Sequence, residues 1–226
     1  MGDIIYAGPC IRALGGGTLY LDPQGGLSSP LVKWQGRSQT RLNASTIEKA
    51  IPFLRMQPYL ADVKPWNGEE ADYDLDQFRQ HIRFNNLSDS HLAIFMLPFS
   101  ERDKAWLTVD APTRIQGKPY VIARNFRYQG NDSFWEANLP AFADKAVFVG
   151  HPLEHEVFEH TFGWPVQYIS TPTLLDLARV IAGCDQFMGN EGLPRAIAEG
   201  FKRPLINEYG RLCPNTIFRR PDAQYV

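Results

Sequence analysis

Phe187-Met188-Gly189-Asn190-Glu191-Gly192-Leu193-Pro194-Arg195 is the stretch on which the fold turns. A short apolar run leads into a glycine-rich turn, and the residues beyond it have helical spacing. Proline is tolerated only in the first turn of a helix, so Pro194 fixes where that helix begins. The N–H groups near Glu191–Leu193 then lack intrahelical acceptors and point outward at the end of a strand. Gly192 allows a ligand to approach the backbone. Parallel α/β sheets bind anions at such ends, where the helix terminus favours each negative charge by about 0.3–1 kcal/mol. An ordinary βα turn that binds nothing has the same text.

The surrounding residues repeat the pattern. Apolar runs at 120–123, 146–149, 166–169, 186–188 and 204–206 read as strands, and 134–143, 153–162, 174–182 and 193–201 have helical spacing. Strands alternating with helices at this pace predict βαβ units and a parallel sheet. The first half is less regular. Residues 4–14 read as a helix kinked at Pro9, Gly15-Gly16-Gly17 ends it, and 18–21 is a short strand. Residues 25–41 read as a polar, glycine-rich surface loop around Leu31–Trp34, and Ser45 or Thr46 as the cap of a helix over 47–54. The acidic stretch 69–76 reads as irregular and 87–97 as a helix. A linker is expected near 110–117, dividing the chain into domains at 1–112 and 113–226.

Composition bounds the function. The 226 residues carry 23 Lys+Arg against 25 Asp+Glu, a net charge of -2, with 44% hydrophobic and 21% charged residues. These values exclude disorder and argue against a general nucleic-acid or membrane-surface binder. Cys10, Cys184 and Cys213 are an odd number with no C-x-x-C pair, which fits the reducing cytosol rather than a disulfide framework or a thiolate zinc site. No apolar run approaches the ~18 residues of a spanning helix, and no signal peptide is read at Met1-Gly2-Asp3.

Other residues fall at the same expected sheet edge. Arg124-Asn125-Phe126-Arg127-Tyr128 follows the first strand of the second half, where two arginines can fork onto phosphate oxygens or stand simply solvated. His151-Pro152-Leu153-Glu154-His155 spells H-x-x-E-H, but Pro152 suits the first helical position, so His151 is expected at the cap and not on a shared zinc-binding face. Glu154 in that first turn can meet ribose hydroxyls. Asp3 precedes the first apolar helix, where an acid is commonly just a helix-end residue.

Together these residues resemble the GT-B glycosyltransferases typified by the ADP-heptose:lipopolysaccharide heptosyltransferases. The opening Met1–Leu14 is similar to that family's first helix, in which Gly-Asp precedes an apolar stretch and a proline. Thr173–Cys184 resembles the helix before the family's donor loop, and Gly150–Glu154 a segment whose glutamate contacts ribose. Asn190-Glu191-Gly192-Leu193-Pro194-Arg195 stands where the family has Asp-Thr-Gly-Leu-Ser-His, the diphosphate-binding turn. Arg124 or Arg127 stands where the family places a phosphate-binding lysine.

The resemblance implies two facing Rossmann-like domains in an α/β protein, with parallel sheets flanked by helices. It implies a metal-independent, cytoplasmic sugar transferase that uses a nucleotide-diphosphate sugar as substrate and needs no cofactor. Asp3 would be the base. Arg124, Arg127, Glu154, Thr173, Gly189, Asn190, Glu191, Gly192, Leu193 and Arg195 would bind the donor. The acceptor is open among a saccharide, a lipid-linked glycan and a modified nucleic acid; for the last, Lys33, Arg37 and Arg41 could meet its charge. The rival readings are a non-catalytic nucleotide or nucleotide-sugar binder and a nucleotide-sugar hydrolase or epimerase.

Overall fold

The computed structural model describes residues 1–23, 42–81, 86–209 and 215–226. The expected loop at 25–41, with Lys33, Arg37 and Arg41, and Cys213 lie outside the described residues.

The chain begins with α1 (Gly2–Tyr6) and α2 (Gly8–Ala13), followed by β1 (Gly17–Leu21), α3 (Ala44–Leu54), β2 (Leu60–Pro65) and α4 (Leu87–Ile94). The second part runs β3 (Tyr120–Ala123), α5 (Asp132–Asn138), β4 (Ala146–Phe148), α6 (Pro152–Phe162) and β5 (Gln167–Tyr168). It continues through α7 (Leu174–Gly183), β6 (Gln186–Gly189), α8 (Leu193–Gly200), β7 (Leu205–Asn207) and β8 (Ala223–Tyr225). The fold is α/β with parallel sheets flanked by helices, as expected. β1 and β2 pair in parallel, and the other six strands form one parallel sheet in the order β5-β4-β3-β6-β7-β8.

That order is the doubly wound one. The chain moves outward from β3 to β4 and β5, then returns to lay β6 on the other side of β3 and continues to β7 and β8. The direction of winding reverses between β3 and β6, and the crevice outside the carboxyl ends of those strands is where such sheets bind ligands. The central strands are buried on both faces, which is why Val121, Ile122, Val147, Phe148, Phe187 and Met188 read as unbroken apolar runs. One face packs on α5 and α6 through Ile122, Trp135, Phe148, Phe158 and Met188. The other packs on α7 and α8, and the same apolar cluster continues into the first part of the chain through Ile5, Tyr6, Ile47, Phe53, Val63 and Trp106.

Local chemistry explains where the elements depart from expectation. The helix expected over 4–14 is two helices that meet at Ala7. Pro9 has no N–H for the Ile5 carbonyl one turn back, and the Trp106 indole donates to that carbonyl instead at 2.9 Å. Gly8 allows this: a β-carbon there would stand 2.4 Å from the Trp106 ring. Asn43, not Ser45 or Thr46, caps α3, accepting from the Thr46 N–H and hydroxyl, each at 2.9 Å. The helix expected over 134–143 stops at Asn138, and Pro140 lies in a 3₁₀ turn beyond it. β2 and β8 are absent from the sequence reading. Among the described residues, no helix is long and apolar enough to cross a membrane.

Candidate active site

Two asparagines close the crevice between β3 and β6. The Asn190 side-chain amide donates to the carbonyls of Asn125 (2.9 Å) and Arg127 (2.6 Å), and its oxygen accepts from the Asn125 N–H at 3.0 Å. Asn125 returns a bond from Nδ2 to the Glu191 carbonyl at 2.6 Å. The two turns therefore hold each other's backbone in register. Gly189 is required for space, and a side chain at Gly192 would displace the Asn125 amide. A β-carbon at Gly189 would lie 2.1 Å from the Ala123 carbonyl oxygen, and one at Gly192 would lie 2.5 Å from the Asn125 amide nitrogen. Gly192 is the N-cap of α8, whose first turn carries Leu193 and has no side-chain cap. The first N–H groups of a helix lack intrahelical acceptors, so this start offers free donors.

The two arginines have different surroundings. Arg124 is buried and forks onto Glu208, with Nε and Nη2 donating at 2.7 and 2.9 Å, and Nη2 also bonds Asp132. Burial alone would raise the Glu208 carboxyl. Arg124, the N–H groups of Asn131 and Gly130 and the Trp135 indole outweigh it and hold the group down at about 2. Glu208, at the end of β7, thus ties β3 to the start of α5. Arg124 does this internal work and is not free to grip a ligand in this arrangement. Arg127 is exposed, its Nη2 donating to the Tyr128 hydroxyl at 2.6 Å. Phe126 beside it is 48% exposed.

Glu154 and Thr173 lie on neighbouring elements of the same edge. Glu154 closes a capping box at the start of α6, accepting from the His151 N–H at 3.1 Å. Its carboxylate fills the space beside Gly150. Thr173 closes the corresponding box on α7 with Asp176. His151 is the N-cap of α6, as Pro152 predicts, and its Nδ1 accepts from the Leu153 N–H. The His155 ring turns to the Val166 carbonyl at 2.6 Å. The two rings serve different ends of the local structure and do not converge.

Across the crevice, α1 packs on α8. Asp3 has 44% of its side chain exposed and pairs with Arg79 at 3.0 Å. Burial lowers the amino group of Met1, with Asp3 acting to raise it and Arg79 and Arg127 adding to the fall. Behind Asp3, the buried His91 stacks on Phe78 at 4.1 Å. Burial pushes His91 down to about 4, against the pull of the Asp3 charge.

Arg195 does not reach the crevice solvent. It is fully buried, donating Nη1 to the Tyr6 hydroxyl at 2.6 Å and Nη2 to the Tyr225 hydroxyl at 2.9 Å and to the Thr216 carbonyl. Its Nε faces Glu191 at 3.7 Å. Glu191 is also buried, which raises its carboxyl above the usual range against the pull of Arg195, and it accepts from Asn207 at 3.1 Å. Arg195 and Glu191, both expected to touch the donor, instead form the interior behind the turn. Asn125, Glu208, Arg79 and Tyr6 were not singled out as site residues from sequence. Glu208 and Asn125 had a usable signal, each following a strand of the parallel sheet at its ligand-binding edge.

The fold has a known counterpart. The chain is similar to the glycosyl transferase family 9 protein of Veillonella parvula. The two superpose with a TM-score of 0.61 at 11% identity, covering 100% of this chain and 83% of that one. Two heptosyltransferase structures are more distant. TibC, a dodecameric iron-containing enzyme in complex with ADP-D-beta-D-heptose, gives a TM-score of 0.49 at 16% identity over 76% of this chain and 51% of its own. The E. coli heptosyltransferase WaaC, with ADP-2-deoxy-2-fluoro heptose, gives 0.40 at 14% over 74% and 59%. This chain therefore spans about half the length of the first of these two and three-fifths of the second. No protein-family model matches the chain, and no curated protein matches it by sequence.

Proposed function

We propose that the protein transfers a sugar from a nucleotide-diphosphate donor to a hydroxyl acceptor. The observation that carries this reading is the seating of α1, which bears the half-exposed carboxylate of Asp3, on α8, whose uncapped start follows the strand at the winding reversal of a parallel sheet. The shared fold of the Veillonella parvula glycosyl transferase supports it.

In this reading the diphosphate lies on the turn Gly189–Leu193. The N–H groups of the α8 start and the Arg127 guanidinium take its charge, while Arg124 and Asn190 hold the loop that presents Arg127. Glu154 faces the ribose and Thr173 the rim. Asp3 takes the acceptor's proton as its oxygen bonds to the anomeric carbon. The bond from that carbon to the diphosphate oxygen breaks, and its electron pair leaves with the diphosphate. Base assistance contributes about 10²–10⁴-fold, and fixed donors already stand where the leaving charge develops, so no metal is required. The acceptor is a saccharide, a lipid-linked glycan or a modified nucleic acid.

A panel of ADP-, GDP- and UDP-sugars in thermal-shift assays tests the reading. A ligand at 100 times its dissociation constant stabilises by about 2.7 kcal/mol, and no shift from any of them would count against the site. Product analysis with water as the only acceptor then separates transfer from hydrolysis, and EDTA leaves activity unchanged. The Asp3–Arg79 ion pair favours one second reading, a binder that performs no transfer, because it occupies the carboxylate the reaction needs. Donor binding without turnover on any acceptor would select it.

A further inference from the structure

We infer that Arg195 and Tyr6 are a positioning pair that sets where Asp3 stands relative to the diphosphate turn. The inference rests on the transferase reading for its catalytic consequence and on geometry for the rest.

A guanidinium with no exposure is costly to bury, and its N–H groups need partners; the Nε of Arg195 has no hydrogen bond among the described residues, so the terminal N–H groups carry the bonding. Those of Arg195 are distributed across the molecule. One nitrogen reaches Tyr6 in α1, 189 residues away in sequence, and another reaches Tyr225 in β8 and the Thr216 carbonyl. The Tyr6, Phe218 and Tyr225 rings stand 5.8, 5.2 and 6.0 Å from the guanidinium carbon. Arg195 itself lies in the first turn of α8, beside the Glu191 carboxylate of the donor turn. Tyr6 follows Asp3 by three residues, about one helical turn.

α1 needs such an anchor. It is five residues long and its N-cap makes no side-chain bond. Helices this short do not hold themselves. The Trp106 indole grips the Ile5 carbonyl, and the Ser88 hydroxyl donates to the Tyr6 carbonyl at 2.8 Å. Both of these partners come from the first part of the chain. The Tyr6 hydroxyl accepts a side-chain bond from α8, the helix whose start carries the proposed donor turn. Arg195 therefore connects the base to the leaving group's seat, and its planar fork serves this purpose where a single ammonium would not.

Tyr6→Phe removes one hydroxyl and keeps the ring. Its expected effect is a turnover about 10–100-fold lower at an unchanged donor affinity, the range for displacing a reacting group by about an ångström. In an Asp3→Asn background the same change should cost nothing further, because the pair acts through Asp3. Arg195→Lys should lower turnover at least as far, since it gives up the bonds to Tyr225 and Thr216 as well. A second measurement needs no turnover. Amide exchange at Ile5 and Ala7, whose N–H groups bond Met1 and Asp3, should rise at least about 10-fold in Tyr6→Phe, while Val121 and Phe187 in the sheet stay protected. Unchanged turnover, a loss that adds fully to that of Asp3→Asn, or faster exchange spread evenly over the sheet would each overturn the inference. If no nucleotide sugar is turned over, the transferase reading fails, and the exchange experiment still decides whether the pair holds α1.

Discussion

At the residue scale, Arg124 and Arg127 separate structure from binding. Arg124→Ala leaves the Glu208 carboxylate buried without its counter-charge, so it should lower unfolding free energy by about 3–5 kcal/mol in denaturant titrations. Arg127→Ala should leave that free energy unchanged and weaken nucleotide-sugar binding by about 2–5 kcal/mol in calorimetry. Equal, small effects from both would remove each from the site. The sequence offers both arginines on one loop but not which faces outward. That depends on Glu208, an acid 84 residues downstream of Arg124, reached only because β7 ends at the same edge. The same limit applies to Arg195 and Glu191. Their place beside Gly192 suggests ligand contact, whereas the packing of α1 and β8 over them makes an interior.

At the element scale, periodicity carried the second half of the chain. Residues 120–207 alternate apolar strands and amphipathic helices, and each strand appears within a residue or two of its expected place. The first half was less legible for particular reasons. Pro9 splits a helix whose apolar face continues through it, β2 reads as polar because only Leu60 and Val63 are buried, and β8 is a three-residue edge. Capping was the finer miss. Ser45 and Thr46 are good cap residues by type, but Asn43 precedes them and engages Thr46 itself. Asn43→Ala should therefore destabilise the protein by about 1 kcal/mol, with Ser45→Ala near neutral, as read from urea midpoints.

At the scale of the whole molecule, acid should loosen the fold in two stages. His91 stays neutral when folded, down to about 4 against an ordinary value of 6.5, so the unfolded chain binds its proton first and stability falls from about pH 6.5. Glu208 is held at about 2 against an ordinary 4.5, so its contribution is complete above pH 4.5 and is lost below it. His91→Phe should flatten the first stage, worth up to about 3 kcal/mol, and leave the second. A His91→Phe variant whose unfolding free energy changes between pH 7 and 4 just as the parent's does would contradict this. The proposed transfer depends on the same assembly, because Asp3 could act as its base only with α1 seated on α8. The most direct measurement is turnover and donor affinity of Asp3→Asn, which keeps the side chain's shape and removes the base. Transfer through Asp3 predicts donor affinity within about twofold of the parent and turnover reduced at least about 10²-fold; undiminished turnover would contradict it.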